Sequence, residues 1–433
     1  MLARVGRAAI WLLPAFLLGL AACAPAESSV PPSDPTIAID QAQRRGHTLQ
    51  ALYLLEAQAS AEGWTPALAR RAGDLWQTAG DAERALDFWR LAGLGTPDDA
   101  ALMRRLAQGS IELQRWTDAA DALERLAVLA PDDAWVQLQL GLVRAAFDRE
   151  AATGHLRAAM SEPAYQPMAL ALINALRDGG DLPDGMAAGL MLASLEQWPY
   201  AELAFRHAAA VAAPYPLALA YTALARDQQG KAADAWIGEA VTLAPDDAAV
   251  RYLQGLHLRA AGDYTASLAA LAQAVALDPE NPAYHAELGS AYRLLGDLPH
   301  AEYWLESAVR VSNDDPRFAQ LLALFYADEA DHLTDEGLDA LLDAAAALDS
   351  DDVDAQAGLA WAMYRAGRPD EALAALDAVL ERDPASPRAL LNKGRILLET
   401  GDAEAAAPLL RRVAAGGSAF AVQARALLDA AEL

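Results

Sequence analysis

Proline returns at a fixed interval in this chain. Pro97 and Pro131 stand 34 residues apart, and so do Pro245 and Pro279. Each closes a helix-like stretch, with an alanine or an acidic residue beside most of them. Other markers keep the same interval. Residues 282–315 carry Leu288, Gly289, Tyr292, Gly296, Ala301, Leu305 and Ala308. The stretch beginning at Ala248 repeats that order as Gly255, Leu258, Gly262, Leu271, Ala274 and Pro279. A period of this length points to a stack of similar units, each burying its apolar face against its neighbours. A body of roughly 400 residues would otherwise suggest two or three globular domains. An array is not limited by the size of one core.

These residues resemble the tetratricopeptide repeat, a 34-residue helix–turn–helix unit with small residues at fixed positions and a closing proline. The resemblance implies an all-α fold, a right-handed superhelical α-solenoid of helix pairs. Packing explains the pattern. Gly at the eighth position and Ala at the twentieth sit where the two helices of a unit cross, and a larger side chain there would push them apart. Large residues at the seventh, eleventh and twenty-fourth positions fill the space between units. Gly at the fifteenth position ends the first helix, and Pro at the thirty-second ends the second.

Units of varying regularity run from about Pro66 to Val413. Gly73, Trp76, Gly80, Ala85, Trp89, Ala92 and Pro97 mark the first, and Leu106, Ala107, Ala119, Leu123 and Pro131 the next. The unit from Ala134 keeps Leu140 and Gly141, but its second helix is short and ends near Pro163. Gly189, Leu192, Ala201, Phe205 and Ala208 mark another. Ala233, Ile237, Ala240 and Pro245 follow, with Tyr221 where glycine is expected. Two late units are clear, at Leu359, Ala360, Gly367, Ala372, Leu376 and Pro384, then at Gly394, Leu397, Gly401, Ala406 and Leu410. The expected layout is a degraded first repeat over 36–65, an array over 66–163 and one irregular helix within 164–181. A central array over 182–350, lengthened near 328–335, and a pair over 351–416 follow. A helix within 417–433 caps the end through Phe420, Ala424, Leu427 and Leu428.

Ahead of the array, Arg4 and Arg7 precede an apolar run from Ala8 to Leu20, then Leu20, Ala21, Ala22 and Cys23. That order is a secretory signal over residues 1–22. A run of this length, interrupted by Pro14, is well short of the ~20 residues that span a bilayer. The four residues ending in Cys23, the only cysteine, resemble a bacterial lipoprotein box. The resemblance implies cleavage before Cys23 and acylation of its thiol, so that residues 23–35, rich in Pro, Ser and Ala, become a tether. Ala24 rather than Asp follows Cys23, which in the sorting logic of that family implies the outer membrane if the cell has two membranes, and otherwise the outer face of the cytoplasmic membrane. With no other cysteine, the exported body must be held by packing rather than disulfides.

The net charge of -27 disfavours nucleic acid as a ligand, because phosphate backbones would be repelled. Lys231 and Lys393 are the only lysines, so arginine carries nearly all positive charge. No nucleophile motif, phosphate-cradling loop or metal-ligand spacing occurs, and neither catalysis nor a cofactor is expected. The seven histidines are scattered, and His285, at the fourth repeat position, reads as a packing residue. The acidic runs at Asp98 and Asp99, Asp132 and Asp133, Asp246 and Asp247, and around Asp349, Asp351, Asp352 and Asp354 stand just before helix starts. There they cap free amides rather than bind calcium.

What remains is surface. In the family, positions two, five, nine and twelve of the first helices line a concave wall that commonly faces bound peptide. Those positions hold Arg70, Arg104 and Trp135, then Tyr252, Leu256, Arg259, Arg293, Arg317, Trp361, Tyr364 and Arg395. Arginine offers paired bonds to carboxylates, and aromatics bury area at small entropic cost. The expectation is a non-enzymatic, lipid-anchored scaffold whose groove takes protein segments of acidic character, or chain termini, in an envelope complex for secretion, pili or cell wall. The alternative is a glycan-binding or regulatory subunit of a polysaccharide system, with Trp135, Trp361 and Tyr364 as platforms.

Overall fold

The computed structural model describes residues 35–180, 182–183, 185–211, 214–313, 315–329 and 352–432. Cys23, the signal, residues 23–34 of the tether, His332, Asp349, Asp351 and nearly all of the expected insertion near 328–335 lie outside them. The described residues hold 23 α-helices, one short 3-10 turn and no strand, as the repeat implies. None of these helices is long and apolar enough to cross a membrane. The described residues divide into two compact units, one up to residue 131 and the other from residue 132.

In the first unit, α1 (Pro35–Arg44), α2 (Thr48–Glu62), α3 (Pro66–Thr78), α4 (Ala82–Gly95), α5 (Ala100–Glu112) and α6 (Trp116–Leu129) form three helix pairs. The second unit begins with α7 (Ala134–Arg144) and α8 (Arg149–Ala159), followed by an unpaired α9 (Gln166–Asp178) where the sequence departs from the repeat. Pairs then resume with α10 (Met186–Ser194) and α11 (Trp198–Val211), α12 (Pro216–Asp227) and α13 (Asp234–Leu243), α14 (Ala248–Ala260) and α15 (Tyr264–Leu277), and α16 (Pro282–Leu294) and α17 (Leu298–Val311). After α18 (Pro316–Asp328) come α19 (Val353–Arg365) with α20 (Pro369–Arg382), then α21 (Pro387–Glu399) with α22 (Ala403–Ala414). Finally α23 (Ala421–Ala430) lays Ala424, with Phe420, Leu427 and Leu428, over the last pair.

Local chemistry sets these boundaries. Pro at the first helical position opens α3, α16, α18 and α21, where its missing N–H costs nothing. The acidic residues before helices are caps. Asp247 Oδ1 accepts from the amides of Ala249 and Val250 at 2.9 and 3.0 Å, and Asp99, Asp133 and Asp352 act alike. At the fifteenth position, Gly262, Gly296 and Gly401 take φ of +81°, +77° and +93°, the left-handed turn that ends a first helix.

The glycines at the eighth position hold the pairs together. A Cβ on Gly255 would stand 2.6 Å from Leu271, and one on Gly394 2.8 Å from Leu410, each partner sixteen residues on at position twenty-four. Where glycine is absent, Tyr221 instead stacks on Phe205 of the preceding helix, with ring centroids 5.1 Å apart. The apolar interior is correspondingly a series of separate clusters along the stack rather than one core. Despite the intervening α9, α11 meets α7 directly, where the Tyr200 hydroxyl hydrogen-bonds Gln139.

Candidate functional site

The first helices of the first unit enclose a cleft of about 380 Å³ between α3 and α5. Its walls carry Asp74 and Gln77 from α3, and Arg105, Gln108 and Glu112 from α5, with Trp89 of α4 behind them. Trp89 Nε1 donates to Asp74 Oδ1 at 2.9 Å, and Arg105 forms an ion pair with the same carboxylate. Of the expected residues here, Arg70 pairs with Asp99, the cap of α5. Arg104 is half-buried and does not line the cleft; its neighbour Arg105 does. Asp74, Gln77 and Gln108 do stand at positions nine, twelve and nine, and were missed because the expectation favoured arginine and aromatic side chains there; Arg105 was missed because it stands at position six, one residue off the expected face.

In the second unit, Trp135 sits half-buried at the start of α7. Tyr252 of α14 packs against Tyr284 of α16, centroids 4.9 Å apart, and burial pushes its hydroxyl pKa up. Leu256 packs on the cluster of α12 and α13. Arg259 pairs with Glu287 on the next first helix. Arg293 Nε lies 2.8 Å from Glu329, with its guanidinium 6.0 Å above the Phe325 ring. Arg317 is 78% exposed and pairs with Asp315, the cap of its own helix, at 2.6 Å. Farther along, Trp361 is only 4% exposed. The Arg395 guanidinium lies 3.9 Å from its ring centroid, Tyr364 stands 5.3 Å away, and Arg395 reaches Glu399 at 3.4 Å.

One physical feature unites these placements. Most wall arginines are already matched by carboxylates, and several of the matches join neighbouring repeats. Asp40 with Arg71 and Asp74 with Arg105 are spaced by 31 residues, Arg70 with Asp99 by 29, and Arg259 with Glu287 by 28. The sequence signal for this is opposite charge at about one repeat of separation. Its consequence is a wall of fixed, locally neutral charge pairs, in which an incoming carboxylate competes with a resident one.

The histidine at the fourth repeat position does packing work. His285 is buried on α16; its Nε2–H donates to the Pro279 carbonyl at 2.9 Å, and its Nδ1 accepts from the Ser307 hydroxyl at 2.9 Å. Both nitrogens are satisfied by the neutral ring, and burial lowers its pKa. Among the described residues no three His, Cys, Asp or Glu side chains are placed to hold a metal ion.

The sequence matches the tetratricopeptide repeat model over residues 252–316, 322–387 and 359–420. No curated protein sequence matches the chain. Similar solved structures include yeast Tom70, at 15% identity over 92% of this chain and 95% of that one, with a TM-score of 0.40. A tetratricopeptide repeat protein from Parabacteroides merdae is 17% identical over 57% of this chain and 96% of its own, with a TM-score of 0.42. PilF of Pseudomonas aeruginosa is 17% identical over 50% and 96%, with a TM-score of 0.41. The matched segment contains the same glycine crossings and turns that shape the helix pairs before it, and residues 252–420 are built of tetratricopeptide repeats.

Proposed function

We propose that this chain is a non-enzymatic scaffold that binds protein segments along the first-helix faces of its repeats. We further propose that lipid on Cys23 holds it at a bacterial envelope membrane, where it aids assembly of a secretion, pilus or cell-wall complex. The observation that carries the binding reading is the cross-repeat pairing of arginine with carboxylate. It fixes guanidinium groups in advance, so that little side-chain entropy is lost when a segment docks. A neutral wall suits a segment presenting backbone amides and carbonyls. An acidic side chain enters by displacing Glu287 or Glu329 from its arginine. The glycan reading loses its main platform, because Trp361 is 4% exposed and already covered by Arg395.

Crosslinked affinity capture from native membranes tests the wall. Arg259→Gln with Arg293→Gln should reduce recovery of the specific partner about ten-fold or more, since each charge-assisted bond contributes roughly 1.5–3 kcal/mol. Equal recovery by both proteins would move the docking site off α14 and α16. The anchor is tested separately. Cys23→Ser should release the body from membranes or leave the precursor uncut, and lipid labelling that persists in that variant would remove Cys23 as the acylated residue.

A further inference from the structure

The turn between α1 and α2 differs in charge from the acidic chain around it. Arg44, Arg45 and His47 crowd the turn between α1 and α2, and all three are exposed. Neither arginine has a carboxylate partner among the described residues; the side chain of Arg44 reaches only the Asp40 carbonyl, at 3.3 Å. The one carboxylate on α1, that of Asp40, is occupied by Arg71. Glu56 and Glu62 lie further along α2, the nearer about 12 Å from its start. A chain of net charge -27 thus ends its described fold in a locally basic tip.

Apolar side chains flank that tip on the outer face. Leu49 is 69% exposed and Tyr53 64%, four residues apart and so on one face of α2. Ile37 of α1 is exposed too. The buried stripe of α2, Ala51, Leu52, Leu55 and Ala59, is turned into the array. Exposed arginines beside leucine and tyrosine form the combination that settles at a membrane–water boundary, with guanidinium at phosphate and the ring at headgroup depth.

We propose that the tip formed by Arg44, Arg45, Leu49 and Tyr53 seats on an anionic phospholipid surface and fixes how the body stands on the membrane. The proposal rests on the membrane reading above. Pro35 lies twelve positions after Cys23, a reach of at most ~40 Å even when fully extended. Charge selects the occupant. Anionic lipid repels the acidic chain as a whole but attracts the Arg44 and Arg45 guanidinium groups at this turn.

The test uses the full chain carrying Cys23→Ala and Leu49→Cys, labelled with an environment-sensitive fluorophore, and a matched chain labelled at Leu94→Cys. Leu94 is at least as open, 80% exposed, but lies in the last turn of α4. On phosphatidylglycerol-containing vesicles, the probe at 49 should brighten and shift to the blue while the probe at 94 still reports water. Adding Arg44→Glu and Arg45→Glu should weaken the response roughly 25-fold or more, taking about five-fold per arginine. A water-like signal at 49 on anionic vesicles overturns the proposal, as does an equal signal on phosphatidylcholine alone, and the first outcome would leave the face to a protein. Mass analysis of native Cys23 separates the two readings, because an unacylated thiol removes the anchor without changing the vesicle result.

Discussion

Replacing Gly289 with leucine should cost about 3 kcal/mol or more of stability, the upper end of the range for overpacking a close contact. A Cβ at this position would stand 2.9 Å from Leu305 Cγ and 3.0 Å from the carbonyl oxygen of Ala301. The second neighbour is backbone, so relief requires α16 and α17 to separate rather than one side chain to turn. Separation would also disturb the cluster formed by Leu288, Ala291, Leu271 and Tyr284. Because each repeat is stabilised mainly by its neighbours, the damage should spread to α15 and α18 first. Denaturant unfolding gives the size of the loss, and hydrogen exchange gives its place. Gly296→Ala is the contrast: no heavy atom lies within 4 Å, so only the left-handed φ of +77° is penalised, at about 1–2 kcal/mol. Unaltered unfolding of the leucine variant would show that the pair does not cross at Gly289.

The second large effect is expected at Glu202, whose side chain is 4% exposed on α11. Arg226 Nη1 donates to one carboxylate oxygen at 2.6 Å; Lys231 Nζ and Gln229 Nε2 donate to the other at 2.7 and 3.0 Å. One of the two lysines in the chain is spent here. Glu202→Gln keeps the shape but leaves two cations facing a neutral amide. Removing one member of a buried pair costs about 3–5 kcal/mol, and the partial exposure of Arg226 and Lys231 brings the expectation to about 2–4 kcal/mol.

The same site predicts a pH dependence. Burial alone would raise the Glu202 pKa, but hydrogen bonds from Lys231 and Arg226 outweigh it and hold the group below its ordinary 4.5. A depressed carboxyl stabilises the fold above the unfolded-state value and loses that contribution as pH falls through the native one. His285 adds a loss in the same direction, starting higher. Its pKa is lowered from 6.5 by burial, so below that pH protons bind the unfolded chain preferentially. Thermal stability should therefore decline first below about pH 6.5 and more steeply below about pH 4.5. Glu202→Gln should flatten the second decline and leave the first.

Much of this molecule can be read from its residues in order, because the interactions that define a helix pair are local. Gly289 and Leu305 are sixteen positions apart, Asp247 caps the helix that begins one residue later, and Gly262 turns the chain where it stands. Short-range sterics and hydrogen bonding determine such features wherever the chain is placed. The irregular helix near 164–181 was visible for the same reason, as a failure of the pattern, and α9 occupies it.

The wall was legible only as a face. Its arginines could be placed near the groove by position, but their electrostatic state depends on what the next repeat brings within reach. Arg259 is cancelled by Glu287, Arg293 by Glu329, and Trp361 disappears beneath Arg395. Whether a side chain at position five or six enters the cleft, as Arg105 does and Arg104 does not, turns on helix rotation that the period alone leaves free. The sequence by itself determined the repeat, the caps and the helix crossings, since all are set within a unit or at its joint. Which charges stay available and which aromatics stay open were decided only by tertiary structure, because burial and ion pairing are properties of the space between repeats.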